Sequence, residues 1–245
     1  MLFQDRGVVK RIIDIGCGFG SISIELMKML EKNRIQFQYT GVDPSKAQLK
    51  RFRELLQSEG RNDVRLVESR IEDFIYEEIY DLAYIGHSLY YAESMIDTLE
   101  KVIRNSKEVC IVHHGEGGIN EVHQAFSEWV REGPHIISTY NQIISCLEQL
   151  KEQGMNFEYV LHEFKSLIDV KDCQNPASKR GRALIAFFLE RDYETIPRRV
   201  RRDVRDFFGK QIGNSMLHDE AIILITSHPG RSGTRGFDGS VTNRK

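Results

Sequence analysis

Short apolar runs alternate with amphipathic segments along the first 115 residues of the chain. The runs are rich in Ile, Val and Leu and are too short for buried helices, so they predict buried strands. Segments 20–32 and 45–57 carry apolar residues at helical spacing, and Ser45 is placed to cap the second helix. This alternation predicts a mostly parallel sheet with helices on both faces. The predicted strands are residues 11–16, 37–42, 64–68, 81–86 and 108–113.

The second half of the chain has a less regular pattern. Thr139 and Gln142 form a capping-box pair at the start of a predicted helix, which Gly154 ends. Residues 181–190 are mostly apolar and are compatible with a buried helix or with a strand. Further strands are predicted at residues 157–164 and 220–226, and further helices at residues 120–131 and 198–208.

One domain is expected over residues 1–226, followed by a disordered polar tail at residues 227–245. The tail is rich in Gly, Ser and Arg and has almost nothing apolar to bury. No apolar run approaches the ~20 residues that span a bilayer, and the first residues lack the apolar core of a signal peptide. The four cysteines lie far apart without a CxxC pair. This spacing argues against a zinc or disulfide framework and favours a reducing cytoplasm.

The charge balance argues against a protein dedicated to nucleic-acid backbones. Lys and Arg number 34 against 36 Asp and Glu, which gives a formal net charge of −2. Five arginines do cluster between residues 198 and 205, but Val200, Val204, Phe207 and Phe208 fall there at helical spacing. We therefore interpret the arginines as the wet face of an amphipathic helix, with RNA binding as the less favoured alternative.

The strongest chemical signal is a glycine-rich loop after the first predicted strand. It reads Asp14-Ile15-Gly16-Cys17-Gly18-Phe19-Gly20. Glycines permit a tight turn and a close approach to a ligand, and the next helix offers free N–H groups. Asp43 ends the second strand, where its carboxylate can accept hydrogen bonds from both hydroxyls of a ribose. Together, the glycine-rich loop and Asp43 predict a nucleoside ligand, bound either by a methyl-transferring enzyme or by a nicotinamide enzyme. A glycine turn without a ligand is the remaining alternative.

The segments DIGCGFG and GVDPS resemble the first two motifs of class I S-adenosylmethionine-dependent methyltransferases. The resemblance implies an α/β, Rossmann-like fold with about seven strands, the last of them antiparallel. It implies S-adenosylmethionine as cofactor, with Asp14, Gly16, Gly18 and Gly20 on its methionine side and Asp43 on its ribose.

A finer similarity relates most of the chain after residue 10 to histamine N-methyltransferase and its relatives. It rests on GHSLYYAESMIDTLEKV, on HHGEGG and on ISTYNQIISCLEQLKEQG, with SLIDVKDC, GRALIAFFLE and AIILI after them. The similarity implies further cofactor contacts from Gln48 and Gly86, and a position beside the adenine for Arg70 and Ile71.

The same similarity implies which residues face the methyl acceptor. His87 stands in the place of a substrate-facing glutamine, and His218 lies near the place of a substrate-contacting asparagine. His87 is also our candidate catalytic residue, because an amine must be neutral to attack and a histidine can take its proton. Tyr90 and Tyr91 line an aromatic pocket or, in part, pack into the core. His113 and His114 follow the fifth strand, where strand ends converge on the cofactor. Each histidine is also compatible with a merely structural role.

No metal is expected. His113, His114 and Glu116 have ligand chemistry, but the loop after the fourth strand reads GHS. Catechol-type methyltransferases place acidic magnesium ligands in that loop.

The sequence and its resemblance predict an enzyme that methylates a small polar metabolite, at nitrogen. The residues after 114 are expected to build the acceptor side. Two alternatives stay open. One is an RNA or protein methyltransferase. The other is a cofactor-binding module without turnover, because only about ten residues precede the first strand, whereas the resembling family has a longer segment that covers its site.

Overall fold

The computed structural model describes residues 8–131 and 137–228 of the chain. The strands within these residues are β1 (Lys10–Ile15), β2 (Phe37–Asp43), β3 (Val64–Glu68), β4 (Tyr80–Gly86), β5 (Ser106–His114), β6 (Phe157–Asp169) and β7 (Ser215–Ser227). The α-helices are α1 (Ser21–Lys32), α2 (Lys46–Ser58), α3 (Met95–Arg104), α4 (Ile119–Ala125), α5 (Tyr140–Glu152), α6 (Lys179–Phe188) and α7 (Arg198–Gly209).

The strands form one seven-stranded sheet in the order β3-β2-β1-β4-β5-β7-β6. Strands β1 to β5 are parallel, and β7 runs antiparallel to both of its neighbours. The predicted fold, including its antiparallel last strand, is confirmed. Because the strand order reverses between β3 and β4, with β4 added on the other side of β1, the carboxyl ends of β1 and β4 border a crevice where such sheets bind ligands.

Helices cover both faces of the sheet, as strand β1 illustrates. Successive side chains of a strand point to opposite faces, and Ile12 and Ile13 are both fully buried. Ile12 belongs to an apolar cluster with Phe52 of α2. Ile13 belongs to a different cluster, which includes Leu99 of α3. Burial on both faces explains why these strands are apolar without alternation.

A third apolar cluster lies beyond the end of the parallel strands. Strands β6 and β7 pair from Phe157↔Ser227 to Asp169↔Ser215, whereas the pairing of β5 with β7 stops at His114↔Glu220. The free end of this long ribbon carries Met216 into a cluster that we call the cap core. The cap core is formed mainly by α4, α6 and α7, and includes Val122, Ile185, Phe188, Val204 and Phe208.

The structure decides between two alternatives that the sequence left open in the second half of the chain. One concerns the secondary structure of residues 181–190, and the other concerns the arginine-rich segment 198–205. Residues 181–190 are mainly helical, because Gly181, Ile185 and Phe188 are buried at helical spacing and the Ser178 hydroxyl caps the helix. Helix α7 buries Val200, Val204 and Phe208, so the predicted amphipathic helix is confirmed. Three of its arginines, Arg198, Arg199 and Arg202, are exposed, whereas Arg201 and Arg205 are half-buried.

Several predicted boundaries were wrong. The helix predicted at 120–131 ends at Ala125, since Phe126 leaves helical geometry and its ring packs on Phe207, with a 3₁₀ turn following at Ser127–Trp129. Strand β6 continues past residue 164 because β7 pairs with it throughout. The predicted tail at 227–245 lies outside the described residues apart from its first two, and Ser227 belongs to β7. Among the described helices, none is long and apolar enough to span a membrane.

Candidate functional site

The glycine-rich loop after β1 turns sharply in the left-handed region of backbone conformation. Gly16 has φ 73° and Gly20 has φ 84°, values that L side chains rarely adopt. A Cβ on Gly16 would collide with Ser88, and one on Gly20 would collide with the Phe52 ring. Ser88 also fixes the loop directly, since its hydroxyl donates a 2.6 Å hydrogen bond to the Ile15 carbonyl.

Asp14, the first residue of this motif, is anchored by hydrogen bonds to the neighbouring helix and strand. Its Oδ2 accepts a 2.5 Å hydrogen bond from Ser23 of α1 and a 2.7 Å hydrogen bond from Tyr39 of β2. The side chain is only 3% exposed, and burial raises its pKa to about 6. Asp14 therefore lies beneath the cleft described next and supports it, rather than lining it.

A cleft of about 410 Å³ opens above the loop. Predicted cofactor contacts that line it are Gly16, Gly18, Asp43, Gln48, Arg70 and Ile71, and His87 and Tyr91 line it as well. Gly20 and Gly86 are not among its lining residues, although Gly86 ends the strand that leads into His87.

Polar groups in the cleft are arranged for a ligand with hydroxyl and amino groups. Asp43 accepts hydrogen bonds from the N–H groups of Gly18 (2.9 Å) and Ser45 (2.8 Å), which leaves lone pairs on both of its oxygens. The Oε1 atom of Gln48 is buried and has no partner among the described residues. Such an orphaned acceptor in a native structure calls for an explanation. The ribose hydroxyls and amino groups of S-adenosylmethionine, the cofactor implied by the resemblance, would satisfy these acceptors.

A second cavity of about 270 Å³ adjoins the cleft, and Tyr91 lines both. Of the predicted acceptor-side residues, it brings together Tyr90, Tyr91 and His114. Glu190 also lines it, and the Tyr91 hydroxyl donates a 3.3 Å hydrogen bond to Glu190 Oε2. Burial raises the pKa of Glu190.

His113 and His218 are buried and do not line either cavity. The His113 Nε2 atom lies 2.9 Å from the Ser138 hydroxyl, and burial lowers the His113 pKa to about 4. His218 Nε2 lies 3.5 Å from Oε1 of Glu220. Both histidines therefore support the cavity walls from behind.

His87 lines the cleft, and His114, which its ring contacts, lines the second cavity. Its backbone is in the left-handed region, with φ 51°, a strained geometry for a non-glycine residue that is common at functional sites. Its Nε2 lies 3.0 Å from Oε1 of Glu220, and its ring stacks on His114 with centroids 4.2 Å apart. Hydrogen bonds from His218 and His87 hold the pKa of Glu220 well below its ordinary value.

This hydrogen bond determines which nitrogen of His87 is basic. Because the ionised Glu220 can only accept, Nε2 carries the proton and Nδ1 keeps its lone pair. Nδ1 is buried and has no partner among the described residues. The pair can thus accept one proton at a defined atom, which is the arrangement of a general base and its orienting acid.

Sequence reasoning missed Glu220 and Glu190. Glu220 begins an apolar run, EAIILIT, which reads as the polar boundary of a strand. Its importance follows from the antiparallel pairing His114↔Glu220, and that register cannot be read from the linear sequence.

Comparisons with known proteins identify the family of the chain. Residues 8–166 match a family model described as "Methyltransferase domain". A search of curated protein sequences gives no match.

Solved structures share the fold. The chain is similar to YcgJ of Bacillus subtilis, with a TM-score of 0.58 and 14% identity over 91% of this chain and 93% of that one. It is similar to the plantazolicin methyltransferase BpumL bound to S-adenosylhomocysteine, with a TM-score of 0.50 and 18% identity over 89% and 76%. A third similar structure is phosphoethanolamine N-methyltransferase 2 of Haemonchus contortus, with a TM-score of 0.54 and 13% identity over 92% and 51%. At such identities the likeness shows the fold.

Proposed function

Because the chain belongs to the methyltransferase-domain family and is a class I S-adenosylmethionine-dependent methyltransferase, we propose that it methylates a small polar metabolite at nitrogen. The observation that carries this proposal is the 3.0 Å contact of His87 Nε2 with Glu220, which leaves His87 Nδ1 without a partner. A primary or secondary amine has to shed a proton during methylation, and this atom can receive it.

The cleft would hold the cofactor, which supplies a methyl carbon activated by its sulfonium. Asp43 would accept hydrogen bonds from the ribose hydroxyls, and Gln48 Oε1 would accept one from another hydroxyl or amino group. Arg70 would border the adenine, held there by a 2.7 Å ion pair with Glu93. The glycine loop would approach the methionine portion with its backbone.

The second cavity would hold the acceptor. At about 270 Å³ it is slightly smaller than typical ligand pockets, which span about 300–1,000 Å³, so it suits a small acceptor. Its walls combine aromatic rings with the carboxylate of Glu190, a surround that suits a polar, basic molecule. Since Tyr91 lines both cavities, an acceptor there would lie next to the cleft, and alignment supplies much of the catalysis in such transfers.

His87 would take the proton, and Glu220 would hold the His87 ring in position. The acceptor nitrogen gains the methyl group and loses its proton to Nδ1 of His87, while Nε2–H remains bonded to Glu220. The similarity to the histamine N-methyltransferase group supports nitrogen as the target. A further support is that the same fold occurs in an enzyme named phosphoethanolamine N-methyltransferase.

The experiment is an acceptor screen with the full chain. Pools of small amines, carboxylates and phenols are incubated with S-adenosylmethionine, and mass spectrometry detects products that gain one methylene. Binding of S-adenosylhomocysteine is measured in parallel by calorimetry. We expect a product among the amines. Cofactor binding without any product would favour the binding-module alternative, and methylation of RNA or protein with salt-sensitive binding would favour the macromolecular one.

A further inference from the structure

We propose that His87, His114 and Glu220 form a binding site for a divalent transition-metal ion, with Zn²⁺ the best match to their chemistry. The three residues are far apart in the chain and lie on three different segments of the fold. The sheet brings them together, because His87 follows β4, and His114 of β5 pairs directly with Glu220 of β7.

The distances suit one ion. One ring nitrogen from each of His87 and His114 and a carboxylate oxygen of Glu220 all lie within 4.8 Å of one another. Glu220 Oε1 is 3.0 Å from Nε2 of His87 and 3.9 Å from Nδ1 of His114. A tetrahedral zinc ion with bonds of about 2.0–2.1 Å holds its ligand atoms about 3.4 Å apart. Shifts of about half an ångström would therefore bring both distances to Glu220 to the value that zinc requires.

An unsatisfied nitrogen points to the ion. His114 is 8% exposed, and its Nδ1 has no hydrogen-bond partner among the described residues. At 3.9 Å from Oε1 of Glu220 it is too distant for a hydrogen bond, yet near enough for one ion to contact both atoms. A bound cation would satisfy this atom and the carboxylate together.

The donor set selects the class of metal. Two imidazoles and one carboxylate are ligands that zinc takes in sites with an open fourth position. Magnesium and calcium prefer sets made of oxygen atoms. His218 Nε2 lies 3.5 Å from the same Glu220 oxygen and would orient the carboxylate from behind.

Metal binding and proton acceptance by His87 would exclude each other. An ion on Nε2 places the ring proton on Nδ1, which can then no longer accept a proton from an acceptor amine. Zinc should therefore inhibit methyl transfer reversibly. This consequence depends on the proposed function, whereas the binding site itself does not.

Zinc binding to the full chain is measured by competition with a chromophoric chelator, without cofactor or acceptor. We expect one ion per chain. His114→Gln and Glu220→Gln should each weaken binding by about tenfold or more. His162→Gln, which changes an exposed histidine of β6, should leave it unchanged. Absence of saturable binding, or equal affinity in all four proteins, would overturn the proposal.

A second measurement needs no variant. Cobalt added to the wild-type chain should give the visible bands of a tetrahedral ion with nitrogen and oxygen ligands. A strong near-ultraviolet charge-transfer band would instead indicate cysteine ligands and would overturn the assignment. If zinc binds as described but no amine is ever methylated in chelator-treated protein, the proposed function fails while the metal site stands.

Discussion

The N–H of Gly18 donates a 2.9 Å hydrogen bond to the carboxylate of Asp43, so the loop after β1 is tied to the end of β2. The two motifs that were recognised separately in the sequence therefore form one structural unit. Asp43 both shapes the loop and offers its remaining lone pairs to the cleft.

Replacing Asp43 by Asn should weaken cofactor binding. The substitution removes the charge from hydrogen bonds that are worth about 1.5–3 kcal/mol when one partner is charged. We expect the affinity for S-adenosylhomocysteine, measured by calorimetry, to fall by about tenfold to a hundredfold. Asp63→Asn, which alters an exposed acid near β3, is the control. Equal affinities in the two variants would show that Asp43 only supports the loop.

The variant His87→Gln tests the proton acceptor. Removal of a general base typically lowers turnover by about 10²–10⁴-fold. We expect a loss of this size in kcat for an amine acceptor, with a change of less than about tenfold in cofactor affinity. His162→Gln serves as the control. Unchanged turnover would mean that the amine loses its proton to water and that His87 only shapes the wall of the cleft.

Asp14 should make stability depend on pH in an unusual direction. Its pKa is about 6 in the folded chain, against about 3.9 in an unfolded one. A carboxyl with a raised folded pKa costs stability while it is ionised, so the folded state gains as the pH falls through 6. Between pH 7.5 and pH 5 the free energy of unfolding should rise by about 1 kcal/mol relative to Asp14→Asn.

Urea denaturation of both proteins at the two pH values measures this difference. The same comparison with Asp63→Asn should show no such gain. If the free energies of unfolding of wild type and Asp14→Asn differ by the same amount at both pH values, Asp14 has the same pKa in the folded chain as in the unfolded one.

Two adjacent phenylalanines of α6 test the cap core. Phe188 is fully buried and its ring lies 5.1 Å from that of Phe208, whereas Phe187 is 61% exposed. Phe188→Ala should cost about 3–5 kcal/mol of unfolding free energy. Phe187→Ala should cost less than about 1 kcal/mol. Denaturant titrations measure both variants. If Phe188→Ala and Phe187→Ala lose similar amounts of unfolding free energy, the burial pattern of α6 is contradicted.

The sequence predicted the cofactor half of the molecule well, for a physical reason. Strands β1 to β5 are buried on both faces and are connected by amphipathic helices, so each element carries its own periodic signal. Asp43 and the glycines of the loop are local motifs, and Gln48 follows closely in the chain.

The acceptor half depends on interactions between distant residues. The length of β6 is determined by its pairing with β7, and the approach of Glu220 to His87 by the register of β7 against β5. Neither the length of β6 nor the approach of Glu220 to His87 can be predicted from a local sequence pattern. The separation of His87, His114 and Glu220 along the chain likewise hides their convergence on one point.

The two cavities draw on different stretches of the chain. In the part that the structure describes, the cleft is lined by residues 15–92, and the second cavity by Tyr90, Tyr91 and residues 114–190. Tyr91 is the overlap between them. Substitutions after residue 92 can therefore change which acceptor the protein binds during evolution. The residues that would bind the methyl donor stay the same.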